Sequence, residues 1–88
     1  MQHEMNIEVR LFIHFKEYLP PGSKDGKAIL SMQEGATLSD LLQKLSIPAA
    51  EPKIVVFNGI SQGTTEEIHG RVLRDGDIVS LFPPIGGG

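Results

Sequence analysis

The chain has no cysteine. Disulfides, thiolate metal sites and a cysteine nucleophile are therefore excluded. No apolar run approaches the roughly 20 residues of a membrane helix, and the start, MQHEMNIEVR, is charged rather than signal-like. The expected compartment is the cytoplasm, with no membrane partner. Basic charge is scarce and scattered, since eight Lys and Arg against eleven Asp and Glu leave a net charge of −3. That balance argues against phosphate-backbone binding and so against a nucleic-acid partner. His3, His14 and His69 have no ligand spacing, and no nucleophile stands with a base, so neither a resident metal nor a catalytic centre is expected.

What is present is the composition of one small globular domain: 88 residues, 40% hydrophobic and 22% charged, too few for a second core. Ile7, Val9, Leu11 and Ile13 alternate with Glu8, Arg10, Phe12 and His14, the period of a half-buried strand. FKEYLPPG then allows one or two helical turns before Pro20 and Pro21 stop them. KAILSM, residues 27–32, reads as a second strand. In EGATLSDLLQKLSIP, Thr37 is placed to cap a helix, Asp40 follows in its first turn, and Leu38, Leu41, Leu42 and Leu45 recur at helical spacing up to a stop at Pro48.

KIVVFNG, residues 53–59, predicts a third strand running into an Asn-Gly turn. A brief edge strand is expected near Ile60 to Gln62, and a short strand or plug at Val72 and Leu73. After a turn at Asp75-Gly76, Val79 and Leu81 alternate against Ile78, Ser80 and Phe82. The two aspartates beside Gly76, Asp75 and Asp77, read as hairpin residues rather than as a cation site. The element order predicts an α+β fold with a single main helix on one face of a mixed sheet.

The chain closes on LFPPIGGG, which divides it into a domain over 1–82 and a flexible tail over 83–88. Extended from Phe82, the tail reaches roughly 20 Å, enough to enter another protein's active site. Pro83 and Pro84 make a stiff neck, Ile85 gives one apolar anchor, and Gly86, Gly87 and Gly88 form a thread without Cβ atoms. The only reactive group at the tip is the carboxylate of Gly88, ionised at neutral pH. Once adenylated with ATP by a partner, it can be attacked by sulfide or a persulfide, giving a thiocarboxylate, or by an amine, giving an amide.

Tail and element order together resemble the MoaD/ThiS family of ubiquitin-like sulfur carriers. Two stretches carry the resemblance most specifically. VRLFIHFKEYLPPG is similar to the strand and short helix that open the small subunit of molybdopterin synthase, and DGDIVSLFPPIGGG is similar to that family's Asp-Gly-Asp strand, Pro-Pro and terminal Gly-Gly. The resemblance implies a β-grasp fold with four to five strands and a short helix after the first. It implies no bound cofactor, ATP being used by an E1-like adenylating partner of the MoeB/ThiF type. It further implies a persulfide sulfur donor and an acceptor such as the molybdopterin synthase large subunit, this chain being the sulfur-donating small subunit. In such a fold the first and last strands are neighbours, so Phe12 and Phe82 are expected to share an apolar docking patch at the root of the tail, continued by Pro83, Pro84 and Ile85.

Gly86 departs from the alanine common at that position in molybdopterin-type members. The thiamin-thiazole, tungsten-cofactor and amino-acid sulfur branches therefore stay open. So do a protein modifier forming isopeptide bonds, although nothing after Arg74 is basic as ubiquitin-type tails usually are, and a binding module with an incidental tail.

Overall fold

Alternation in the sequence becomes a five-stranded sheet in the computed structural model, which describes residues 3–63 and 66–84. The elements run β1 (Glu4–Leu11), β2 (Lys27–Gln33), α1 (Leu38–Lys44), β3 (Ile54–Phe57), β4 (Ile60–Gly63) and β5 (Ile78–Phe82), with 3-10 helices at Ile13–Tyr18 and Glu66–Gly70. Strand order is β2-β1-β5-β3-β4. β5 lies in the middle, parallel to β1 and antiparallel to β3, and β2 and β4 form the two edges, each antiparallel to its neighbour. A sheet whose first and last strands lie side by side in parallel, with one helix across a single face, is the β-grasp arrangement of an α+β domain.

The core sits between that face and α1. Met5, Ile7, Val9 and Leu11 of β1 and Val79 and Leu81 of β5 are buried against Leu38, Leu41, Leu42 and Leu45. The helix starts where the sequence predicts, through a complete capping box. The Asp40 amide donates to Thr37 Oγ1 (3.3 Å) and the Thr37 amide to Asp40 Oδ2 (2.9 Å). Its end differs from the expected stop at Pro48. The Ile47 amide donates to the Leu42 carbonyl and the Ser46 amide to that of Gln43, with Ser46 at φ 63°. This is a Schellman closure in which buried Ile47 supplies the apolar contact and serine takes the left-handed position glycine usually fills.

Four further segments depart from the sequence expectation or sharpen it. β1 ends at Leu11, so Ile13 is not on the inward face but 59% exposed. The Asp75-Gly76 turn is present, with Gly76 at φ 87° and the Asp77 amide on the Arg74 carbonyl (3.0 Å), but it makes no hairpin, because the strand it opens runs parallel to β1. Its carboxylates instead tie elements together. Asp75 accepts from the Asn6 amide (2.8 Å), and Asp77 from the Arg74 amide (2.8 Å) and the Asn58 side chain (3.1 Å). Of the pair expected as a short strand or plug, Leu73 alone is the plug, buried with its amide donating to the Ala36 carbonyl (2.8 Å), whereas Val72 is exposed and makes a single bridge with Thr37. The edge strand appears as β4, reached from β3 through Asn58 (φ 50°) and Gly59 (φ 86°), the paired left-handed residues of a two-residue hairpin turn.

Lys53 was expected within the third strand; it precedes β3 and is buried, its Nζ donating to the Ala49 carbonyl at 3.1 Å. Burial pushes its pKa below 10.5, an effect the nearby Glu51 carboxylate partly offsets. Between the depressed pKa and 10.5 the unfolded chain holds this proton more firmly than the folded one, so the cost of the buried ammonium disappears and stability rises with pH. Lys53→Met keeps the stem and removes the charge. It is expected to melt at or above the wild-type temperature at neutral pH, with the advantage shrinking toward pH 10.5 in melts of the two proteins. A difference that stays constant across that range would refute the assignment.

Candidate functional site at the root of the tail

The parallel register of β1 and β5 pairs Leu11 with Leu81, which sets the next residue of each strand, Phe12 and Phe82, beside one another on the face away from α1. The Phe12 amide holds this register by donating to the Leu81 carbonyl (3.2 Å). The two rings stack with centroids 4.3 Å apart and planes 6° from parallel, each half-buried. Expectation and structure agree on this pair. On the other side of β5, Ile54 lies opposite Phe82 and Val56 opposite Ser80, both half-buried. An apolar band thus crosses the outer sheet face where the chain leaves it. Arg10 and Glu8, paired with each other on the same face of β1, border it.

Pro83 and Pro84 leave β5 directly from the Phe82 ring, half-buried and then exposed. Ile85, Gly86, Gly87 and Gly88 lie outside the described residues, so the anchor, the thread and the reactive end are not placed.

The corner after Phe12 escaped the sequence reading. Ile13 has φ 58°, a left-handed conformation that costs a β-branched residue on the order of 1–3 kcal/mol. The other non-glycine residues with positive φ among those described are Asp25, Ser46 and Asn58, polar residues of turns or a helix end. The corner turns the chain so that Phe15, fully buried, enters the core while its amide donates back to the Phe12 carbonyl (3.1 Å). Glu51 clamps the same 3-10 helix from the opposite loop, accepting from the Tyr18 hydroxyl (2.8 Å) and meeting His14 Nε2 (3.2 Å). The bond to Glu51 leads in raising the Tyr18 pKa above 10.0. Among the described residues no three His, Asp or Glu side chains cluster closely enough to hold a metal, and no helix is long and apolar enough to cross a membrane.

Solved structures share this architecture. The HVO 2177 protein of Haloferax volcanii is 28% identical over 97% of this chain and 88% of its own, with a TM-score of 0.71. SAMP1 from Haloferax volcanii is 27% identical over 94% of this chain and 99% of its own, with a TM-score of 0.65. A putative molybdopterin converting factor, subunit 1, from Pyrococcus furiosus is 20% identical over 92% of this chain and 99% of its own (TM-score 0.66), a likeness of fold. No curated protein matches the chain. The ThiS family model matches residues 9–88, from the inward Val9 of β1 through the stacked Phe82 and the proline neck to the last glycine, and on that match the chain belongs to the ThiS family.

Proposed function

We propose that the protein is a sulfur carrier whose working group is the carboxylate of Gly88. The observation that supports this most is where the tail begins. It continues β5, the central strand, held by β1 on one side and β3 on the other, so the tail starts from a strand paired on both edges. A carboxylate oxygen of Gly88 attacks the α-phosphorus of ATP on an E1-like enzyme, forming an acyl adenylate and releasing pyrophosphate. The terminal sulfur of a persulfide then attacks the acyl carbon and expels AMP. Cleavage of the resulting acyl disulfide by a thiol leaves the thiocarboxylate on Gly88 and a disulfide on the donor side. The thiocarboxylate sulfur then attacks an electrophilic carbon of the acceptor, and water cleaves the acyl–sulfur bond, leaving the sulfur on the acceptor and a carboxylate on Gly88.

Phe12, Phe82, Pro83, Pro84 and Ile85 dock the carrier on its partners, while Gly86 and Gly87 thread the partner's channel. The carrier works in the cytoplasm, where ATP is supplied, and binds no cofactor itself. The acceptor favoured is the large subunit of a molybdopterin synthase, in which two successive donations build a dithiolene. The Pro-Pro neck and the short helix before Pro20 support that branch over thiamin-thiazole, tungsten-cofactor and amino-acid sulfur transfer.

A second reading has its own support in the likeness to SAMP1, a small archaeal modifier protein. In it the same adenylate passes to a lysine amine, giving an isopeptide bond. Intact-mass analysis of the protein purified from its own host separates the two. Exchange of one oxygen for sulfur at Gly88 is the expected result, whereas lysines of other proteins that carry the tryptic remnant Asp75–Gly88 through an isopeptide bond establish the modifier. Finding neither, in cells actively making the sulfur-containing cofactor, overturns both.

A further inference from the structure

The conformation of the corner at residue 13 follows from the topology, since the chain must leave β1 with Phe12 over Phe82 and return Phe15 to the core within three residues. The identity of the residue does not follow. Glycine or asparagine would adopt φ 58° with less strain, and an isoleucine side chain 59% exposed gives little packing in return. Strained residues are held by the structure around them and cluster at active sites, clamps and switches, so such an outlier points to a functional position.

The tail says what that is. With six residues from Pro83 to Gly88 and a fully extended reach of roughly 20 Å, Phe82 must lie within that distance of the atoms with which Gly88 reacts on any partner, so the surface around it faces the partner. Ile13 follows directly on Phe12, the ring stacked on Phe82, and is exposed on that surface.

We infer that Ile13 is a docking residue that fills an apolar recess beside the tail channel of the ATP-dependent activating enzyme, and that the strained corner is kept to present it. This rests on the proposed function and extends it to a residue outside the tail and the stacked rings. The activating enzyme is the occupant because sulfur carrier and modifier alike must pass through it, so the inference holds for either fate of the adenylate. Ile13 touches no reacting atom, and its contribution lies in binding rather than in the chemical step.

Ile13→Gly and Ile13→Asn relieve the corner and remove the apolar side chain. The full-length variants are compared with the wild type in thermal melts and in ATP–pyrophosphate exchange with each E1-like enzyme of the host. Both are expected to melt at or above the wild-type temperature, with KM for the carrier raised about tenfold and kcat within about twofold. Ile13→Val, strained but still apolar, should fall between. Unchanged KM in the Gly and Asn variants overturns the docking role, as does a fall confined to kcat. A lower melting temperature in both overturns it as well, by showing that the side chain serves the fold. Wild-type protein that supports no exchange with any E1-like enzyme sinks the proposed function itself and this inference with it.

Discussion

A chain cut after Gly86 is expected to fold as the full protein does and to fail as a substrate for adenylation. Among the described residues the buried apolar side chains lie between Met5 and Leu81, and β5 ends at Phe82, so removing Gly87 and Gly88, which have no side chains, leaves that core and sheet complete. Stability should stay within about 0.5 kcal/mol of the full chain. A carboxylate remains, now on Gly86, but it falls short by two residues, roughly 7 Å of extended chain. Attack on phosphorus needs the oxygen within about 3–3.5 Å of its target, and the docked root cannot slide inward to recover the distance. Without that placement the rate should drop by more than about a thousandfold, a barrier increase of some 4 kcal/mol. Exchange of pyrophosphate into ATP, measured beside thermal melts, reads both halves of the expectation. Unchanged biological activity of the shortened chain in its own host would favour a binding module with an incidental tail over either carrier or modifier.

How much of this could be read from the sequence depends on whether the signal was local. Met5 to Leu11 and the helical leucines repeat with the periods of their elements, and Asn58-Gly59 has the chemistry of its turn. Phe12 and Phe82 were legible as outward residues because they fall out of phase with Leu11 and Leu81. Their stacking needed the parallel pairing of strands some 70 residues apart, which the resemblance supplied and periodicity could not.

What stayed hidden was set by tertiary context. Ile13 takes a left-handed conformation without the glycine or asparagine that would announce it, and Ser46 does the same at the end of α1, where Pro48 is the visible but uninvolved stop signal. The turn at Asp75-Gly76 could be read, but not the direction of the strand that follows. Lys53 is a charged residue whose burial depends on carbonyls of the loop before it. The reactive end is the reverse case: Gly87 and Gly88 are legible only as sequence, since they lie outside the described residues.

Phe15→Ala should be the most damaging single substitution at the site's foundations. The ring is fully buried and packs beside Tyr18 and His14, and its loss leaves both a transfer penalty and a cavity, together about 3–5 kcal/mol. That is a large share of the roughly 5–15 kcal/mol that holds a domain together, and for a chain of this length it corresponds to a fall in melting temperature of about 15–30 °C. Phe15→Leu, which keeps most of the volume, should cost below about 1.5 kcal/mol. Urea unfolding of the three proteins gives the comparison, and a loss under about 1 kcal/mol for the alanine variant would remove Phe15 from the core.

The effect should also reach the function by a route that core changes elsewhere do not share. Phe15 fixes the 3-10 helix whose first residue is Ile13, and its amide holds the Phe12 carbonyl at 3.1 Å. Loosening it frees both the stacked ring and the strained corner. At a temperature where Phe15→Ala remains folded, KM for the activating enzyme should therefore rise at least as far as in Ile13→Gly. Leu41→Ala, a comparable cavity beneath the helix on the far side of the sheet from the stacked rings, should lower stability by a similar amount and leave KM near wild type.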